Sequence, residues 1–211
     1  MVFAMLRSAT DRPEPASPGP DTWVVLGLGN PGTGYAGNRH NVGAMVVAEL
    51  AAGEGINLRR GSGKLARVVS STTRMTGRRV VVATLTTFMN ESGQAVRPLV
   101  DYYKADLSGL IVLHDELDLP FGSVRVKQGG GDNGHNGLRS ITQSVNSPDY
   151  VRIRIGIGRP VGRQSPRDFV LRDFTGAERA ELPAILDQAA SAVRLIVSLG
   201  VVAAQNEIHR P

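Results

Sequence analysis

The 211-residue chain contains no cysteine. That absence removes disulfides, thiolate metal ligands and a cysteine nucleophile together, and it suits the cytoplasm. No apolar run approaches the ~20 residues that span a bilayer, so no membrane partner is expected. The opening residues, MVFAMLR, lack a leading positive charge and an apolar core long enough for a signal peptide. No serine sits in a G-x-S-x-G elbow, so a serine nucleophile of that type is not signalled either. Acidic residues are in deficit, 19 Asp and Glu against 24 Lys and Arg, for a formal charge of +5. The sequence pI is near 10.1. Such a balance suits polyanionic partners, nucleic acid first.

What is present is an ordinary globular composition, 41% hydrophobic and 20% charged, long enough for one domain with a sizeable core. Residues 1–21 include SATDRPEPASPGPD. Too little apolar surface is available there to repay ordering, which predicts a disordered tail ahead of a domain at 22–211. Residues 23–28 are an apolar run that predicts a buried strand. Val42, Met45, Val46 and Leu50 recur at helical spacing, and Gly53 ends that helix. Residues 64–71 and 78–85 read as strands joined at Thr76-Gly77. Ala95, Val96, Leu99, Val100 and Tyr103 share a helical face, with Pro98 either kinking that helix or marking its start. Residues 110–113 are wholly apolar, as in a strand covered on both faces. Residues 123–127 read as another strand, 129–137 as a glycine-rich loop, and Leu138, Ile141 and Val145 as the helix behind it. Residues 151–157 alternate, with Arg152 and Arg154 on one face. The last quarter is helical, opened by a Thr175/Glu178 capping box. Strands and helices intermix throughout, which predicts an α/β fold: a single domain with a mixed twisted β-sheet surrounded by helices.

Gly27, Gly29 and Gly32 satisfy G-x-G-x-x-G after a strand, the dinucleotide-binding fingerprint. Its context fails here. Two further glycines delay the helix, Pro31 removes a backbone N–H from the turn, and no acidic residue closes the next strand. Polar clusters follow the strands instead: Asn30 with His40, Asn90, Asp115 with Asp118, and His135 with Asn136. Strand ends on one side of a sheet can converge on one site. A histidine oriented by a carboxylate can activate water near neutral pH. Several asparagines suit a substrate with amide or ester carbonyls, including its oxyanion. Simpler roles stay open: Asn30 and Asn90 as turn formers, Asn136 as a helix cap, the arginines as solvated strand faces. His114 neighbours Asp115, so on a strand it faces the other way and is expected to be structural. A metal held by His40, His114 and His135 has no recognised short ligand spacing behind it. A non-catalytic RNA-binding module would explain the basic charge but not the His/Asp/Asn set.

The motifs VVLGLGNPG-x2-Y-x3-RHN-x-G, TFMN-x-SG, HDELDLPFG, GGG-x2-GHNGLRSI and RIRIGIGRP occur in this order. Together they resemble the bacterial-type peptidyl-tRNA hydrolase family over residues 23–200. The resemblance implies cleavage of the ester joining a peptide to the 3′ end of tRNA, recycling tRNA from stalled or prematurely ended translation. It implies His40 and Asp115 as catalytic, Asn30, Asn90 and Asn136 as substrate-binding, and Tyr35 as a contact to tRNA. Arg125, Lys127 and Arg154 match its phosphate-contacting positions. It further implies no metal or other cofactor, a cytoplasmic monomer, and the tRNA acceptor arm as partner. The chain departs from the family pattern at Asn38, where threonine is common, and at Asn133, where glycine is. Asparagine can take the left-handed conformation such a glycine supplies.

Overall fold

The β-branched runs pair into one sheet. The computed structural model describes residues 19–210, so most of the expected N-terminal tail lies outside the described residues. The strands are β1 (Thr22–Gly27), β2 (Arg59–Arg60), β3 (Val68–Met75), β4 (Arg78–Leu85), β5 (Leu110–Glu116), β6 (Val124–Gln128) and β7 (Val151–Gly156). They lie side by side in the order β2-β3-β4-β1-β5-β7-β6. β1 is parallel to β4 and β5, and β5 to β7. β2–β3, β3–β4 and β6–β7 are antiparallel. The central parallel strands are buried on both faces, which is why β1 and most of β5 read as unbroken apolar runs.

One face of the sheet packs on α1 (Val42–Gly53), α5 (Gly176–Leu199) and α6 (Val201–Ile208). The other packs on α2 (Gly93–Tyr103) and α3 (Asn136–Val145). A five-residue α4 (Pro166–Val170) lies between β7 and α5. This is the mixed sheet surrounded by helices that the sequence predicts. Two connections leave β1's neighbourhood over opposite faces: α1 follows β1 on one side, and α2 joins β4 to β5 on the other. That switch opens a crevice at the carboxyl ends of β1, β4 and β5.

Three local expectations need correction. The strand expected at 64–71 starts only at Val68 and runs to Met75, because Gly61 and Ser62 fold the chain into a 3-10 turn at Gly63–Leu65 first. The strand expected to stop at Leu113 continues through Glu116, paired all the way with β7. Pro98 does not start α2; the helix begins five residues earlier and runs through it. Among the described residues α5 alone is long and apolar enough to cross a membrane, 24 residues with a mean hydropathy of 1.4 in its most apolar window. Its stripe of Ile185, Ala189, Val193 and Ile196 packs into the core of the sheet.

Candidate active site

The site begins with two glycines. A Cβ on Gly27 would sit 2.3 Å from the Gly43 carbonyl oxygen, and one on Gly43 would sit 2.1 Å from that of Leu113. Only bare backbone lets α1 lie this close to β1 and β5. The 3-10 turn Arg39–Asn41 that leads into α1 is thereby set directly over the end of β5, with His40 against Asp115. The same packing disposes of the dinucleotide reading. The Ala44 N–H in the first turn of α1 donates to Leu28 O at 2.9 Å, so it is not offered to a phosphate.

His40 Nδ1 lies 2.9 and 3.0 Å from the two oxygens of Asp115. His135 Nε2 lies 3.0 Å from the first of those oxygens. Burial alone would raise the Asp115 pKa, but the two histidines outweigh it and hold the carboxyl well below its usual range. Ionised, Asp115 only accepts, so both ring nitrogens facing it carry protons. His135 has no alternative: its Nδ1 accepts from the Gly137 and Leu138 N–H groups at 3.1 and 3.3 Å, so the proton stays on Nε2. For His40, burial favours the neutral ring, while the charge and hydrogen bond of Asp115 outweigh it and raise the pKa above the usual 6.5. With Nδ1 committed to Asp115, Nε2 is the basic nitrogen left for the cavity that His40 lines.

His40, Asp115 and His135 also bring three potential metal-ligand atoms within 4.8 Å of one another. The cluster is poorly suited to an ion, because the backbone N–H groups on His135 Nδ1 keep the proton on the nitrogen that would have to coordinate. His114, the remaining member of the sequence-level metal set, is buried and faces the His135 ring at 5.0 Å. It donates from Nδ1 to the Asp115 carbonyl at 2.7 Å and is pushed down to about 3, by burial first and then by His135. It is structural, as its place on the strand predicts.

The asparagines divide by role. Asn30 Oδ1 accepts from the Met89 N–H at 2.8 Å. A backbone N–H can only donate, so this contact fixes the amide orientation and leaves Nδ2 to donate towards the cavity that Asn30 lines. Asn41, which the sequence reading did not single out, holds the Asn30 backbone from both sides. Its Oδ1 accepts from Asn30 N and its Nδ2 donates to Asn30 O, each at 2.9 Å. Asn90 and Asn136 are exposed at the cavity wall, Asn90 in the 3-10 turn Met89–Glu91 and Asn136 at the start of α3. The cap of α3 is His135, not Asn136. Asn133 takes the left-handed conformation, φ 48°, and donates to Glu116 at 3.3 Å.

The cavity measures about 480 Å³. Tyr35 stands at its mouth, edge-on to Phe88 at 6.3 Å. Its far wall, Pro166, Arg167, Val170 and Leu171, comes from α4 and the residue after it, well over a hundred positions from His40. Arg39 ties that wall down. Its guanidinium donates to the Asp173 and Arg172 carbonyls at 2.8 and 3.2 Å and pairs with Glu178 at 2.6 Å. It also stacks 4.4 Å from the Phe169 ring centre. No local signal marks α4 as part of the site. The sequence marks His135 beside Asn136 after a glycine run, but its link to Asp115 is purely tertiary.

The basic residues do not behave alike. Arg125 and Lys127 lie on β6, the sheet edge, with Lys127 exposed and Arg125 half-buried. Arg154 is cross-strand from Arg125 but is gripped by Glu116 at 3.0 Å. Arg152, with 2% exposure, is a structural clamp on the Gly130 carbonyl at 2.6 Å and on that of Gly131. Asp118 pairs with Arg159 away from the cavity, so it does not join Asp115 in the site.

A family model described as peptidyl-tRNA hydrolase matches residues 24–211. A peptidyl-tRNA hydrolase of Frankia casuarinae is 53% identical over 195 residues, which cover 92% of this chain and 96% of that protein. One of Mycobacterium avium is 50% identical over 186 residues, covering 88% and 96%. The crystal structure of peptidyl-tRNA hydrolase from Acinetobacter baumannii superposes with a TM-score of 0.82 at 35% identity, covering 91% of this chain and 96% of that one.

Proposed function

The chain belongs to the peptidyl-tRNA hydrolase family and cleaves peptidyl-tRNA, and we propose that it does so with His40 as the base that activates water. Water attacks the carbonyl carbon of the ester while His40 Nε2 takes one of its protons. The oxyanion that forms is met by Asn30 Nδ2, whose orientation the Met89 N–H sets. The tetrahedral intermediate then expels the 3′-terminal oxygen of the tRNA, which takes the proton back from His40. Free tRNA and a peptide with a terminal carboxyl group leave. Asp115 stays ionised throughout, holding the His40 tautomer and supporting its imidazolium. The observation that carries this reading is the buried His40–Asp115 contact at 2.9 Å.

Asn90 and Asn136 hold the peptide backbone, and Asn136 also places the water. Uncharged contacts to backbone amides suit many peptide sequences. Tyr35 contacts the tRNA end, and Arg125 and Lys127 hold phosphates of the acceptor arm. Arg154 contributes only the edge that Glu116 leaves open. The working unit in this reading is a cytoplasmic monomer, with residues 22–211 as the hydrolase domain and no cofactor in any step.

Release of tRNA from a purified N-acylated aminoacyl-tRNA tests the proposal. His40→Ala should lower kcat by about 10²–10⁴-fold, the usual worth of a general base, with substrate binding retained. A variant within twofold of the wild-type rate would remove His40 from the chemistry.

A further inference from the structure

Positive charge is concentrated where this mechanism makes no use of it. Between residues 55 and 90 the chain carries seven basic residues and no acidic one, more than its whole net charge of +5. Arg74, Arg78 and Arg79 lie at the end of β3–β4 remote from the cavity, beside the first residue of β1. The other four, Arg59, Arg60, Lys64 and Arg67, form a corner at the cavity end, made by β2, the 3-10 turn and the residue before β3.

The corner is continuous with the rim of the site. Gly61 N donates to Val68 O at 2.9 Å and closes its tip, and Arg67 O accepts from Thr86 N at 2.9 Å. The Arg67 guanidinium also bonds to Gln94. Thr86 leads directly into Phe88, Met89 and Asn90, which line the cavity. All four cations are exposed, and among the described residues none is in an ion pair. Lys64 shares a shallow cleft with Tyr102, which is 59% exposed, and with Asp101, which pairs with Arg97 at 3.0 Å.

Charges on an edge strand commonly serve to block pairing with another sheet. That accounts for Arg59 and Arg60 on β2, but Lys64 and Arg67 lie off the strand. We propose that the corner is a second RNA-phosphate surface, holding peptidyl-tRNA on the side of the cavity opposite Arg125 and Lys127. This rests on the peptidyl-tRNA reading above. β2 and β6 are the two edges of the seven-stranded sheet, roughly 29 Å apart at about 4.8 Å per strand. A tRNA whose 3′ end enters between them meets cations on both flanks. The Tyr102 ring beside Lys64 offers a face on which an unpaired base can stack.

The test compares two triple variants of equal charge: Arg59→Gln/Arg60→Gln/Lys64→Gln at the corner and Arg74→Gln/Arg78→Gln/Arg79→Gln at the far end. Binding of deacylated tRNA is followed by fluorescence anisotropy over a range of salt. Each lost phosphate contact flattens the log Kd–log salt slope by about 0.7–0.9, so the corner variant should lose about 2–3 in slope and at least about tenfold in affinity. The far-end variant should stay close to wild type. An unaltered slope at the corner, or an equal loss at the far end, overturns the proposal. Both variants are also assayed on a minimal substrate, a peptide ester of a short 3′ fragment, and should cleave it like the wild type. Failure of the wild type to cleave it sinks the hydrolase reading itself. Normal cleavage with unchanged tRNA binding sinks only the corner.

Discussion

Replacing Asp115 with Asn tests the central hydrogen-bond logic. The carboxylate serves two donors, His40 Nδ1 at 2.9 Å and His135 Nε2 at 3.0 Å. An amide has one acceptor oxygen and one donor group. His135 cannot change tautomer, because the Gly137 and Leu138 N–H groups hold its Nδ1 as an acceptor. It therefore fixes the amide oxygen at the position both rings share, and the NH2 replaces the second carboxylate oxygen, 3.0 Å from His40 Nδ1, where its N–H opposes the Nδ1 proton. His40 must then accept at Nδ1 and carry its proton on Nε2, where the base should be. The same wrong-tautomer change in the aspartate of a serine-protease triad costs about 10⁴ in kcat, which sets the scale here. Loss of the Asp115 charge also leaves burial unopposed, so the His40 pKa should fall. With His40 as the proposed base, its protonated form should not turn over, so kcat should rise with pH through a value above 6.5; in Asp115→Asn that limb should move to lower pH. A second change sharpens the test. Adding His135→Ala to Asp115→Asn frees the amide oxygen for His40 and should recover part of the lost rate. The assay is steady-state tRNA release across pH, with thermal melting as a check on folding. A single variant within threefold of wild type with the same acid limb, or a double variant slower than the single, would refute the tautomer argument.

Three further outcomes follow from particular contacts. His114 has its pKa lowered from 6.5 to about 3, so the unfolded chain binds a proton below 6.5 that the folded one refuses. Stability should drop as pH falls, by about 2 kcal/mol between pH 6.5 and 5 from this group, and urea titrations should show the slope reduced in His114→Gln. Arg39→Met removes the guanidinium from the Asp173 and Arg172 carbonyls and from Glu178, while the residue-39 N–H still donates to the Arg172 carbonyl and the Thr175 N–H to Glu178. It should cost about 2–4 kcal/mol of stability and raise KM as the α4 wall loosens, whereas an unchanged KM would make the clamp structural only. Lys127→Gln should raise KM on full-length peptidyl-tRNA and weaken its salt dependence while sparing a short 3′ ester; equal losses on both substrates would place the tRNA path elsewhere.

The sequence alone carried the architecture because its signals are local. Runs such as residues 23–28 and the alternation at 151–157 report burial directly, and the Thr175/Glu178 capping box formed as read. Local reading failed where two short-range preferences compete. Residues 64–67 look strand-like, but Gly61 and Gly63 permit a turn whose closure only the Gly61–Val68 bond reveals.

The candidate site was legible as a list of residues, since His40, Asp115, Asn30, Asn90 and Asn136 each follow or end a strand and all line one cavity. Their relations were not legible. That Asn30 is turned by Met89, that Asp115 is shared by two histidines, and that Arg154 is held by Glu116 are facts of distance across the fold. Periodicity encodes which face a side chain takes; it does not encode which partner waits there. The residue types were therefore determined by the sequence. Protonation, amide orientation and the α4 wall were decided by tertiary structure, because each depends on a group brought close only when the sheet closes.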